Sequence, residues 1–142
     1  MSNPNAALQA IEGRNATAIR SYATGNVESL VSIFAEDAWQ FAPNRPALVG
    51  RAAIREFWAA AFKWGRWEFT FNTEAVDVCG PLAVERGKYV LRFTAGADAP
   101  PGVTSFEDRG NYLVHWRKKG DQPWLVVADA PVSDVPLQVA SG

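Results

Sequence analysis

Basic excess, cysteine, histidine and long apolar runs are all scarce or missing here, and each shortage removes a class of function. Lysine and arginine total 14 against 15 aspartates and glutamates, a formal charge of -1, so the chain carries no electrostatic footprint for a nucleic-acid backbone. The single cysteine, Cys79, excludes an intrachain disulfide framework and a cysteine-rich zinc site. The one histidine, His115, leaves too few ligands to converge on a metal. No stretch nears the roughly 20 apolar residues of a membrane span. The opening MSNPNAALQAIEGR lacks the basic start, apolar centre and cleavage site of a signal peptide. There is no G-x-G-x-x-G or P-loop to cradle phosphates and no G-x-S-x-G elbow for a serine nucleophile. These shortages predict a cytoplasmic protein with no cofactor, no metal, no nucleic-acid partner and no membrane partner.

What is present is a single domain's worth of chain, residues 1–142, with 48% hydrophobic and 20% charged residues, enough apolar mass to fill a core. Six tryptophans, eight phenylalanines and three tyrosines are many for that length. Aromatic rings bring large apolar area and stiff walls, so they serve either as core or as the lining of a cavity for a flat organic molecule.

The spacing of apolar residues divides the chain into helices first and strands after. Asn3 before Pro4 reads as an N-cap with proline in the first turn. Leu8, Ile11, Asn15, Ala18, Ile19 and Tyr22 then mark one face of a long helix that ends at Gly25. Asn26 caps a short second helix with Val27, Leu30, Val31 and Phe34 inward, broken at Glu36-Asp37. Residues 38–42 form a short strand, and PNRPALVG reads as a structured turn. Ile54, Phe57, Trp58, Ala61 and Phe62 give a third helix an aromatic face. Alternation then predicts strands over 66–78, 83–94, 103–118 and 124–132, with a frayed tail after Asp134. Helices followed by hairpin-linked strands give an α+β domain in which a bent sheet wraps the helices as a cone with an open mouth.

This order, with the strings YATGNVESLVSIFAEDAWQFAPN, VGRAAIREFWAAAF, LAVERGKY, DRGNYLVHWRKKGDQPW and VADAPVSD, resembles the nuclear transport factor 2-like superfamily, in particular its SnoaL-like and ketosteroid-isomerase-like bacterial members. The resemblance implies a strongly curved antiparallel sheet packed on three helices, a cystatin-like cone, and a homodimer through the outer sheet face. The superfamily holds isomerases, dehydratases, cyclases and epoxide hydrolases beside non-catalytic association modules, so fold does not choose among them. Carried over residue by residue, the isomerase's general base falls at Ala42, its oxyanion-binding tyrosine at Ala18 with Tyr22 one turn on, and its protonated acid near Tyr112. None of these positions holds the isomerase residue.

The resemblance also turns Val127, Asp129 and Pro131 into the cone, although the five-residue step from Trp124 to Asp129 would by strict alternation put those two on opposite faces. A carboxyl among apolar rings resists ionisation and suits acid–base work, so Asp129 is the first catalytic candidate. Its other reading is a loop cap or an ion pair with a residue such as Arg51. Glu85 shares a face with Gly87 and Tyr89 and is the second candidate; its other reading is a buried carboxylate bonded to a tryptophan N–H or an arginine. Gly87 beside it leaves room for a ligand or a strand kink. His115 alternates with Val114 and Trp116 and faces the dimer side. Trp39 and Phe41 share one face of their strand and Gln40 and Ala42 the other, with the parity open. Trp39, Phe41, Trp58, Phe62, Tyr89, Tyr112 and Val127 are the expected ligand contacts for a small apolar or aromatic molecule. The expected chemistry is cofactor-free proton transfer; the alternative is an association module whose cone its own side chains fill.

Overall fold

The computed structural model describes residues 4–136; the expected cap at Asn3 and the end of the tail lie outside them. Among the described residues, helices α1 (Pro4–Thr24), α2 (Val27–Val31) and α3 (Arg51–Ala61) pack on strands β1 (Phe34–Ala42), β2 (Arg45–Val49), β3 (Gly65–Cys79), β4 (Leu82–Ala95), β5 (Phe106–Arg117) and β6 (Leu125–Ser133). No described helix is long and apolar enough to cross a membrane. The strands form one sheet in the order β2-β1-β6-β5-β4-β3. Every pairing is antiparallel except β1 with β6, which runs parallel, so the sheet is mixed rather than purely antiparallel.

The helical spacing holds. Ile11, Ala18 and Tyr22 of α1 and Ile54, Trp58 and Ala61 of α3 are buried against the concave sheet face. Asn26 caps α2 by accepting from the Ser29 N–H, as expected. The segment after it differs from the expectation. Phe34 opens β1 instead of closing α2, and Glu36-Asp37 lie within that strand on its exposed side. PNRPALVG is a hairpin, not a turn alone. Pro43 and Asn44 make the reversal, with Asn44 at φ 61°, and β2 follows. Its proline, Pro46, is tolerated because β2 is an edge strand and the missing N–H faces no neighbour.

Long strands must bend to close over the helices, and irregularities supply the bend. One interrupts β3 between Thr73 and Ala75. Another lies in β6, where Trp116 pairs with Val126 but His115 with Ala128, leaving Val127 as the extra residue. The core fills the space between the helices and the concave face, with Trp116, Phe34 and Phe93 almost wholly enclosed.

Candidate active site

The sheet register lines up a single transverse row on the concave face. Val76, Glu85, Val114, Asp129, Gln40 and Leu48 are successive cross-strand partners from β3 to β2. Two carboxylates thus stand in one row, separated by Val114. Above them is an open cavity of about 810 Å³ whose wall includes Tyr22, Trp58, Phe69, Tyr112 and Asp129. Exposed lining residues, among them Asn44, Thr104 and Pro136, mark its rim.

Asp129 reaches this face because of the bulge. Val126 points inward, Val127 takes up the extra place, and Asp129 and Pro131 then continue the inward set. Strict alternation fails here: Trp124 and Asp129 both face the interior. Val127 itself packs half-buried against the core and does not line the cavity, which corrects its expected ligand role. Neither alternative partner of Asp129 is used, since its bond is to Gln40, whose Nε2 donates to Asp129 Oδ2 at 3.3 Å. Burial pushes the Asp129 pKa up to about 6; the Gln40 bond opposes this and the charge on Glu85 adds to it.

Gln40 is held by three neighbours. Trp58 Nε1, a donor only, sits 2.8 Å from Gln40 Oε1, so the amide oxygen must face it. The amide nitrogen therefore faces Asp129 and Tyr22, whose Oη accepts from it at 3.2 Å. Tyr22 is buried, and its own hydroxyl proton has no acceptor among the described residues; it is free for the cavity. Burial and the nearby Asp129 charge hold its pKa well above the ordinary tyrosine value. Asp129 and Tyr22 thus present a carboxyl and an O–H donor side by side, joined by one rigid amide.

Glu85 is fully buried behind the cavity wall. Its Oε2 accepts from Tyr112 at 2.6 Å, Thr73 at 2.7 Å and Asn15 at 2.9 Å, and its Oε1 from Trp116 Nε1 at 3.0 Å. The structure thus places it as a satisfied carboxylate, partnered by a tryptophan N–H as one of its sequence readings held, and it does not itself line the cavity. Gly87 does not leave room for a ligand, because a side chain there would meet the Tyr112 hydroxyl and the Asn72 carbonyl at 2.4 Å. The space is Tyr112's route to Glu85.

A second polar group lies toward the rim. Tyr89 Oη donates to Asp108 Oδ2 at 2.6 Å, and Ser133 Oγ donates to Asp108 Oδ1. All three residues line the cavity. Burial first, then the bond to Asp108, keeps the Tyr89 proton in place.

Of the expected ligand contacts, Trp58, Tyr89 and Tyr112 line the cavity, and so does Phe41 although it is partly exposed. Phe62 packs on Trp58 and Tyr22 as core, and does not line the cavity. Trp39 stands on the outer face, 45% exposed, stacked near Phe41; the parity that was open resolves with Gln40 inward. Ala18 and Ala42 line the wall, as does Tyr112, so the isomerase positions border the cavity without the isomerase side chains. Sequence reading missed Gln40 and Asp108 as site residues. Gln40 was hidden by the undecided parity of β1. Asp108 lies within the expected strand 103–118, an even step of four from Tyr112, but the inward face was counted only from Tyr112 onward.

Residues 16–123 match the family model for the SnoaL-like domain. No curated protein sequence matches. Among solved structures, a conserved protein from Planctomyces limnophilus superposes with a TM-score of 0.81 at 17% identity, covering 94% of this chain and 99% of that one. A nuclear transport factor 2-like superfamily protein from Salmonella enterica gives 0.79 at 15% identity, covering 99% of each. A ketosteroid isomerase-like protein from Erwinia carotovora gives 0.74 at 18% identity, covering 91% and 97%. At such identities these likenesses speak for the fold.

Proposed function

The chain belongs to the SnoaL-like domain family, and from that premise we propose that its cone binds a small hydrophobic or aromatic carbonyl compound and transfers a proton on it without a cofactor. One observation carries this reading: Asp129 has an oxygen with no partner among the described residues at an open aromatic cavity, beside the unclaimed proton of Tyr22. The carboxylate takes a proton from the carbon next to the carbonyl and returns it to another atom of the same skeleton. Tyr22 donates to the carbonyl oxygen as negative charge gathers there. A pKa of about 6 keeps Asp129 ionised at neutral pH yet basic enough to accept a proton. Isomerisation, dehydration and cyclisation all share that step. An association module with a plugged cone is the weaker reading, since about 810 Å³ stays open. Glu85 serves as the anchor that fixes Tyr112, not as the proton carrier.

The test needs no known substrate. 2-Tetralone has exchangeable protons beside its carbonyl, and their replacement in deuterated water is followed by NMR. The protein accelerates the exchange, with the rate rising as pH passes 6. Asp129→Asn abolishes the acceleration, and Tyr22→Phe lowers it by about 100-fold, the usual cost of one oxyanion donor. Equal rates for wild type and Asp129→Asn would remove Asp129 from the chemistry.

A further inference from the structure

The direction of each hydrogen bond in the wall decides which ligand atoms the cavity accepts. At the inner pole Tyr22 offers a proton, because its oxygen is already used to accept from Gln40. At the outer pole the hydroxyl protons of the Asp108 group are both spent. Tyr89 and Ser133 both donate to Asp108, so this group shows only lone pairs and a negative charge. Glu107, next in the chain and also on the wall, already accepts from Arg92 Nε at 2.9 Å. Among the described residues Arg45 is the one cationic side chain on the wall, and its guanidinium lies over the Phe57 ring, 4.7 Å from the centroid. Asp129 and Ser133 are four residues apart on one strand, so the two poles lie about 13 Å apart at roughly 3.3 Å per residue. Pro131 and Tyr112, cross-strand partners, hold the wall between them.

We propose that the cavity selects an elongated, flat hydroxyketone: a carbonyl at the inner end for Tyr22, and at the far end a hydroxyl that donates to Asp108. This rests on the reading of the cavity as a ligand site and adds the substrate class. A ligand whose outer end only accepts would face an anion whose neighbouring hydroxyls are already engaged, leaving its own polar group without a partner in that part-buried group. Anions are refused for the same reason.

Three biphenyls test it: 4-acetyl-4'-hydroxybiphenyl, its 4'-methoxy analogue and its 4'-carboxylate analogue, with binding read from quenching of tryptophan fluorescence. The hydroxyl compound binds at least about tenfold more tightly than the methoxy compound, the size expected of a hydrogen bond to a charged group. The carboxylate binds weakest. Asp108→Asn, which turns an N–H toward the cavity, erases or reverses the hydroxyl preference. Should that variant fail to fold, Tyr89→Phe frees one oxygen of Asp108, and the hydroxyl preference must rise. Equal affinity of the hydroxyl and methoxy compounds in the wild type overturns the inference, as does an Asp108→Asn that folds and keeps the preference. If tetralone exchange persists in that case, the proton-transfer reading stands alone. Failure of all three compounds to bind also overturns the inference, and tetralone exchange then decides the proton-transfer reading by itself.

Discussion

Asp129 costs the protein stability in proportion to its usefulness. In the unfolded chain an aspartate ionises near pH 3.9, whereas in the cone it ionises near 6. Below pH 4 both states hold the proton and the residue costs nothing. Between 4 and 6 the unfolded chain releases its proton first, so stability falls as pH rises, and above 6 the full cost is reached. That difference in ionisation between the two states corresponds to about 3 kcal/mol, an upper figure because the carboxyl keeps a cavity-facing surface. Asp129→Asn keeps an acceptor for Gln40 and carries no charge. Urea unfolding should therefore find the variant more stable than wild type by up to about 3 kcal/mol at pH 8, with the difference gone at pH 4. A gap that does not change with pH would mean that Asp129 is not desolvated in the way the geometry says. Carboxylates distant from Asp129 contribute equally to both proteins and cancel in the comparison.

At the level of strands, Gly87 of β4 shows how one missing side chain organises a neighbour. Tyr112 of β5 crosses the space above Gly87 to reach Glu85. Gly87→Ala puts a methyl 2.4 Å from that hydroxyl, and the Asn72 carbonyl on the other side blocks escape. Tyr112 must move, and a buried carboxylate loses its shortest bond. The cost should be about 2–4 kcal/mol in urea unfolding, from overpacking together with an unmade charged hydrogen bond. In a Tyr112→Ala background the same substitution should cost less; additive costs would show that the two residues do not share the space. The sequence made the inward set of β4 legible, since Ala83, Glu85, Gly87, Tyr89, Leu91 and Phe93 alternate without interruption. The inward set of β5 and the faces of α1 and α3 were readable for the same reason. Period counting fails where a strand carries an extra residue. Nothing local in LVVADAP announces that Val127 is the one that bulges, because the bulge is set by the pairing of β6 with β5. That Asp129 faces inward was therefore visible only through family resemblance. Likewise β2 was hidden by prolines that an edge position excuses, and the bonds of Gln40 join residues 18 and 89 positions away.

On the scale of the whole molecule, the outer sheet face has apolar surface that no described element covers. Val84, His115, Ala128, Trp39 and Val49 are successive cross-strand partners in a row on that side. Trp39, Val49 and Val84 are all at least 40% exposed, and Leu113 and Val132 of the same face are more than half exposed. Exposed apolar side chains gathered on one sheet face, here on either side of the half-buried His115, suit an association surface. We propose that it is covered by a second copy of the chain, because a face that repeats along five strands can meet its own image across a two-fold axis. The helices occupy the concave side, so this contact would close neither cavity, and each protomer would keep an independent site. Sedimentation equilibrium should give twice the chain mass at micromolar concentration. Leu113→Asp places a charge in the middle of that face, where a buried unpaired carboxylate costs several kcal/mol, and should give the chain mass alone. The monomer should still accelerate tetralone exchange, since Leu113 points away from Asp129. A wild-type protein that sediments as a monomer throughout would discard the dimer. Loss of exchange on dissociation would show instead that the partner helps hold the sheet's curvature, and with it the inward turn of Asp129.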